Sequence, residues 1–398
     1  MKSEKRTQPS LTRLLTATAA VVGVLVSGGC SMFRSESPKS ERFAPVADAA
    51  SDSRAPGISE FLYSDIEPAH AGAPKPANVF GEFNDTATKG PVRSVAGDNG
   101  FQQHTFSDEG FDADVAVDPT GKFLVYASTR HGERPAIYLQ KTNGVTVTQI
   151  TGGFADDAYP TFSPDGKTVA FCSNRTGSWQ VYVMDADGRN VVQVTSSAGQ
   201  SIKPTFSPDG KKVAYCSIGG RSGQWELWVA NLESGEKRMI GYGLFPAWSP
   251  EKGVERIAFQ RARQRGSRWF SIWTLDLVDG EARRITEVVA STNAAAVSPS
   301  WSPDGKKLSF ATVVDPTSGK GKSQQDIWTI NADGTNRQRI TDGSGASVAP
   351  YWSADNRVYF VSNRGGTEAI WSSRTDARNA MTAGLESAGQ TTVADVKE

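Results

Sequence analysis

Few side chains in this chain are of a type and spacing to do chemistry. Its three histidines, His70, His104 and His131, are scattered, and none sits in a G-x-S-x-G or H-E-x-x-H setting that would hold a nucleophile beside a base or pair two imidazoles on a metal. A Ser-His-Asp relay would have to use His104 or His131, and zinc would need a Cys and His cluster that the spacing does not offer. No catalytic residue, metal or cofactor is expected. The charged residues are better grouped. Asp112 and Asp157 stand at equivalent places in a repeat, with Asp114 and Asp156 beside them. Such a group can hold a cation, meet a partner, or simply cap free backbone amides. Arg261, Arg263, Arg265 and Arg268 make one loop basic, fit either for solubility or for an acidic protein, a phospholipid or a lipopolysaccharide head group. Arg175 belongs to an "SNR" that returns at Asn363 and Arg364, where the expected role is an arginine bridging to the neighbouring unit.

The elements that must position these residues are read from repetition. The phrase "PSWSPDGKKLSFATVV" (299–314) returns as "PTFSPDGKTVAFCSNR" from Pro160 and "PTFSPDGKKVAYCSIG" from Pro204. Looser copies begin at Val115, Pro246 and Pro350. The turn prolines Pro119, Pro164, Pro208, Pro250 and Pro303 are 45, 44, 42 and 53 residues apart, and Ala354 falls another 51 on, which makes six units. In each, a short apolar strand meets a tight turn in which Pro presets φ, Asp bonds the backbone and Gly takes a left-handed conformation. A second strand carries Tyr126, Phe171, Tyr215, Phe259, Phe310 and Phe360; a third carries Tyr138, Tyr182, Trp228, Trp273, Trp328 and Trp371. A fourth ends "QIT", "QVT" or "RIT" at Thr151, Thr195, Thr286 and Thr341. Four antiparallel strands cannot cover both their faces, but six such sheets arranged radially cover one another. The expected fold is all-β, a six-bladed propeller over residues 101–376, its aromatic columns packing blade against blade.

Unit six stops after its third strand, so ring closure needs a strand from elsewhere: residues 101–107, "FQQHTFS", or residues 390–396, "QTTVADV". The turns between strands one and two and between three and four share one end of a propeller. The loops between strands two and three and between blades share the other. Length variation falls on this loop end, in 260–269, 287–298 and 313–326, and binding residues are expected there. The acidic residues of the first two units should gather at that mouth of the channel.

With 43 basic and 43 acidic side chains the chain has no net charge to attract nucleic acid over distance. Lys2, Lys5, Arg6 and Arg13 precede an apolar run of 16 residues ending before Cys30, the pattern of a secretory signal over 1–29 rather than of a membrane span. "LVSGGC" resembles the lipobox of bacterial lipoproteins, which implies lipidation of Cys30, with palmitate among its acyl groups; the alternative is an ordinary signal with an incidental Cys. Ser31 in place of Asp points to the periplasmic side of the outer membrane. Residues 30–100, rich in Ser, Ala, Pro, Gly and Asp, read as a flexible tether, and 377–398 as a tail. Cys172 and Cys216 occupy equivalent places in adjacent units, too far apart for a disulfide, and are expected as buried free thiols.

The phrase P-x-[FW]-S-P-D-G-K-x-[VL]-x-[FY], followed by [VIL]-[YW]-x-x-[DN]-x-x-G and [QR]-[IV]-T, resembles the repeats of TolB-type six-bladed propellers, which are related to WD-repeat propellers. "DADVAVDPTGKFLVY" is similar to the TolB blade with "DADV" before its turn. The likeness runs over about 112–373. It implies a non-enzymatic protein-binding propeller of the cell envelope, related to the Tol-Pal system and with a Pal-like lipoprotein as partner. TolB itself is soluble, with an α/β domain before its propeller that meets inner-membrane Tol components; here that place holds a tether and a lipobox. Glycan or small-ligand binding at the channel mouth, with a cation at Asp112, Asp156 and Asp157, is the alternative expectation. A polysaccharide lyase or hydrolase with its catalytic group in the channel is a further one.

Overall fold

The computed structural model describes residues 100–106, 110–197, 199–218, 223–262, 270–291, 294–314 and 325–375. Their strands form six four-stranded antiparallel sheets, one per sequence unit. Blade one is Asp112–Val117, Phe123–Ser128, Ala136–Lys141 and Val147–Gln149. The innermost strands of blades two to five are Asp157–Phe162, Ser201–Phe206, Leu244–Trp248 and Ala294–Trp301. Blade six runs Ser347–Trp352, Arg357–Ser362 and Ala369–Arg374. The expected six-bladed propeller is the observed fold.

The turns reverse for the reason their residues suggest. Ser163 donates its hydroxyl to Asp165 at 2.6 Å, Asp165 accepts the Lys167 amide at 3.1 Å, and Gly166 takes φ of 70°. That hydroxyl bond, first among the causes, holds the Asp165 carboxyl below its ordinary range. The same turn recurs at Ser207–Asp209 and Ser302–Asp304. On the strands that follow, the two aromatic columns pair rung by rung. Tyr126 lies opposite Tyr138, Phe171 opposite Tyr182, Tyr215 opposite Trp228, Phe259 opposite Trp273, Phe310 opposite Trp328 and Phe360 opposite Trp371. The second-strand members are buried in all six blades. Directly opposed aromatic pairs on neighbouring strands of each sheet supply the apolar area that the next blade covers.

Each innermost strand has one edge on the axis with no strand beyond it, and each carries a bulge there. The residue at the bulge has a left-handed backbone in all six: Asp114, Tyr159, Lys203, Phe245, Ser298 and Ala349. In five of them a proline follows at once: Pro160, Pro204, Pro246, Pro299 and Pro350. A proline has no N–H to offer an incoming strand, so it suits an edge and a bulge together. Neighbouring inner strands are then stitched to one another. Trp301 donates its indole N–H to the Ala247 carbonyl at 2.9 Å, the Trp352 amide donates to Ser300 Oγ at 3.0 Å, and Tyr351 donates to the Val117 carbonyl at 3.0 Å across the seam between blades six and one.

The fourth strand of blade six is Gln102–Gln103, paired with Ala369–Arg374, so of the two expected donors residues 101–107 supply it; 390–396 lie outside the described residues. Gln103-His104-Thr105 is the displaced copy of the "QIT" phrase. Thr105 Oγ1 accepts the Ile370 amide at 2.9 Å, as Thr151, Thr195 and Thr341 accept Ile137, Val181 and Ile327 at 2.9, 2.9 and 3.0 Å. Gln103 Nε2 donates to the Thr105 carbonyl at 2.9 Å, matching Gln149 to Thr151 and Gln193 to Thr195 at 2.8 and 2.7 Å.

Candidate functional site

At the loop end, the residue that leaves the second strand and the arginine after it form one device three times over. Thr129 Oγ1 accepts the Phe111 amide, Asn174 Oδ1 the Asp156 amide and Asn363 Oδ1 the Ala346 amide. Arg130 then reaches Asp112 at 2.8 Å, Arg175 reaches Asp157 at 3.2 Å and Arg364 reaches Asp342 at 2.9 Å. Each guanidinium also lies over the aromatic rungs: Arg130 over Tyr126 and Tyr138, Arg175 over Phe171 and Tyr182, Arg364 over Phe360 and Trp371. A guanidinium suits this position because it can satisfy a carboxylate in its plane while its face covers a ring. Arg364 additionally sits 3.6 Å from the Phe101 ring centre and so holds down the closing segment.

This geometry corrects part of the sequence reading. Asp112 and Asp157 do not gather with their neighbours at an open mouth. They are buried, each paired with the arginine of its own blade, because the inner strand begins where the second strand ends. Arg175 accordingly bridges within blade two and not to the next blade. Asp114 faces the axis at the bulge. Asp156 is half-buried and takes the Asn174 side-chain amide at 2.7 Å; Arg134 of blade one stands 3.6 Å from it. Arg261 lies over the Trp273 ring, while Arg263, Arg265 and Arg268 lie outside the described residues, as does Cys30. Cys172 and Cys216 are free and buried, as expected, and burial pushes both thiols up.

Two groups at this end had no sequence signal in the repeat. Phe154 is 93% exposed and Phe106 is 64% exposed, in the connections that enter blades two and one. The connection that carries Phe154 also carries Asp156, which Arg134 of the blade-one loop faces.

The axis itself holds the other candidate. Lys203 Nζ is 4.0 Å from Asp114 Oδ1 and lies 5.0 and 5.7 Å from the ring centres of Tyr159 and Phe245, which meet edge to face at 6.1 Å. Residues of four blades thus meet at one level. Burial raises the Asp114 carboxyl above its ordinary range, with Lys203 pulling the other way. From this waist to the proline turns runs a cavity of about 400 Å³, walled by the six inner strands. No sequence pattern marks it, since the bulge positions share no residue type; only the proline that follows five of the six links them. Among the described residues no group of three or more Asp, Glu, His or Cys is arranged to hold a metal.

Comparison with known proteins matches 185–394, more than half of the chain, to the family described as the Tricorn protease N-terminal β-propeller domain, and 91–186 to the TolB β-propeller domain. Dipeptidyl-peptidase 5 of Porphyromonas gingivalis is 42% identical over 67 residues, 17% of this chain and 10% of that protein. The Tol-Pal system protein TolB of Alcanivorax borkumensis is 31% identical over 85 residues, 21% of this chain and 18% of that protein. These matches span less than a fifth of either relative. The crystal structure of TolB from Acinetobacter baumannii superposes with a TM-score of 0.51 at 24% identity, over 62% of this chain and 58% of that one; it shares the fold.

Proposed function

The chain belongs to the family of TolB-like and Tricorn-type β-propellers, and from that premise we propose that it is a non-catalytic binding propeller of the cell envelope. It is held at a membrane by a lipid on Cys30 and carries another envelope protein on its loop end. The observation that carries this reading is Phe154, 93% exposed, with Phe106 beside the same blade. Aromatic rings turned to water on a rigid scaffold are the anchors from which protein interfaces are built, and the Arg134 and Asp156 pair in the same region of the loop end supplies a polar rim. The non-catalytic reading is supported by where the histidines go: His104 bridges two blades in the core, and His131 stands 3.3 Å from the Tyr138 hydroxyl. By analogy with TolB, the partner is a peptidoglycan-associated lipoprotein.

Crosslinking in intact envelopes, with recovery through the C-terminus, tests this. The unaltered chain should bring down that lipoprotein, and the Phe106→Ser, Phe154→Ser double variant should lose at least about tenfold of it, the size expected when a buried aromatic anchor is removed. Equal recovery with both chains would overturn the assigned surface.

A further inference from the structure

The channel lies at the opposite end from the proposed protein surface, and its chemistry is different. Its volume, about 400 Å³, lies within the usual range for pockets that enclose small ligands. Its walls include prolines and the indoles of Trp248, Trp301 and Trp352, with serines and threonines among them. Its charged side chains are few. Lys203 sits at the inner end, its side chain 28% exposed, between two aromatic rings. Of the two carboxylates in the cavity, Asp118 is spent on its own turn, where its oxygens accept Thr120, Lys122 and Phe123 at 2.5 to 3.1 Å. Asp114 is the other, and it faces Lys203 only at 4.0 Å. The Trp248 and Trp352 indole N–H groups, buried in the same walls, make no hydrogen bond among the described residues. The strands that carry these groups hold six left-handed bulge residues at one level, a conformation costing of order 1 kcal/mol or more each, which clusters at binding sites.

We propose that this channel binds a small organic monocarboxylate with an apolar body, its carboxylate on Lys203 and its apolar part against the proline and indole walls. Lys203 is the ammonium group at this inner level, Lys252 being an exposed residue of the turn at the other end of the cavity; with no guanidinium fork beside it and with Asp114 near, Lys203 suits a single negative charge and disfavours a phosphate or a dicarboxylate. The aromatic collar strengthens the pairing by excluding water from it. Asp114 competes with the ligand for the same ammonium, so the ligand's charge must displace a long pair.

Calorimetric titration of the full chain with 3-phenylpropionate tests this, with 3-phenylpropionamide as the uncharged counterpart. One site is expected for the acid, with the amide at least about tenfold weaker. Lys203→Met should weaken the acid by at least about tenfold. Asp114→Asn, which keeps the shape and removes the competitor, should tighten it severalfold and so decides the matter even if the lysine variant fails to fold. Absence of binding by the acid at millimolar concentration would overturn the proposal. So would equal binding of acid and amide, or an Asp114→Asn chain that binds the acid no better. None of these results bears on the loop end, whose test reads a different surface.

Discussion

Arg130 and Asp112 illustrate what the charged residues of the loop end do. The Asp112 side chain is fully buried, that of Arg130 is 9% exposed, and the guanidinium covers two tyrosine rings. Removing one partner leaves the other charge stranded in the interior, which costs roughly 3–5 kcal/mol, whereas removing both costs much less. Arg130→Ala should therefore lower the urea midpoint sharply, and adding Asp112→Ala should restore part of the loss; an Arg130→Ala chain within about 0.5 kcal/mol of the unaltered one would contradict this. Phe154 is the opposite case. Turned to water, it should change stability by no more than about 0.5 kcal/mol when replaced by Ser, so any loss of partner binding can be read as loss of contact. In the sequence Asp112 reads as one of an acidic group at the loop end, and neither Arg130 nor Phe154 stands out from its loop. Spacing along the chain could not tell them apart, because it does not say that the inner strand begins beside the end of the second strand.

The closing segment is the element on which the ring depends, and His104 is its unusual residue. It stands where the other fourth strands carry Ile150, Val194, Ile240, Val288 and Ile340, each the residue after the one that faces the third-strand aromatic; blade four is thus set by Val288 and not by its "RIT" phrase. It is 4% exposed, with Nδ1 donating to the Thr142 carbonyl of blade one at 2.9 Å and Nε2 accepting from Ser372 of blade six at 2.7 Å. Arg357 binds the same serine, Tyr359 lies against the imidazole, and Asp355 binds Tyr359. Burial, with Arg357 adding to it, lowers the His104 pKa from 6.5, against the Thr142 bond and Asp355. Above pH 6.5 both folded and unfolded chains hold it neutral. Below that the unfolded chain takes up a proton first, so stability is lost as pH falls. Glu368, pushed up to about 7 by burial, contributes the other slope, losing stability as pH rises. Comparison with His104→Ile isolates the histidine. Melting midpoints of the variant should hold up better as pH drops below 6.5, and parallel pH profiles would contradict this. Much at this scale was legible. Strands, turns and aromatic rungs follow from the repeat, and the closing segment follows from a unit short of one strand. The sequence does not choose between its two donors, because a two-residue strand with a histidine in an isoleucine's place hides the "QIT" phrase. The inner-strand bulges were not legible, since a left-handed residue before proline is dictated by the axis they share and not by a residue type.

As a whole the molecule separates its ends. The turn end is uniform, with a channel that runs in to Lys203, while the loop end carries the varied connections and the exposed rings. With no net charge to draw it to a charged surface over distance, the attachment to a membrane proposed above rests on a lipid on Cys30. Cys30→Ala should shift the chain from the membrane fraction to the soluble fraction without changing its melting midpoint; a variant that still sediments with membranes would contradict the anchor. Both ends presuppose a circle that is closed, and the Ile370 amide, bonded to Thr105 Oγ1, reports on closure. Hydrogen exchange of that amide, in the full chain and in one with residues 101–105 replaced by Gly and Ser, is the most direct measurement. A closed ring predicts slow exchange in the first and fast exchange, spreading through blade six, in the second; equal protection in both chains would contradict it.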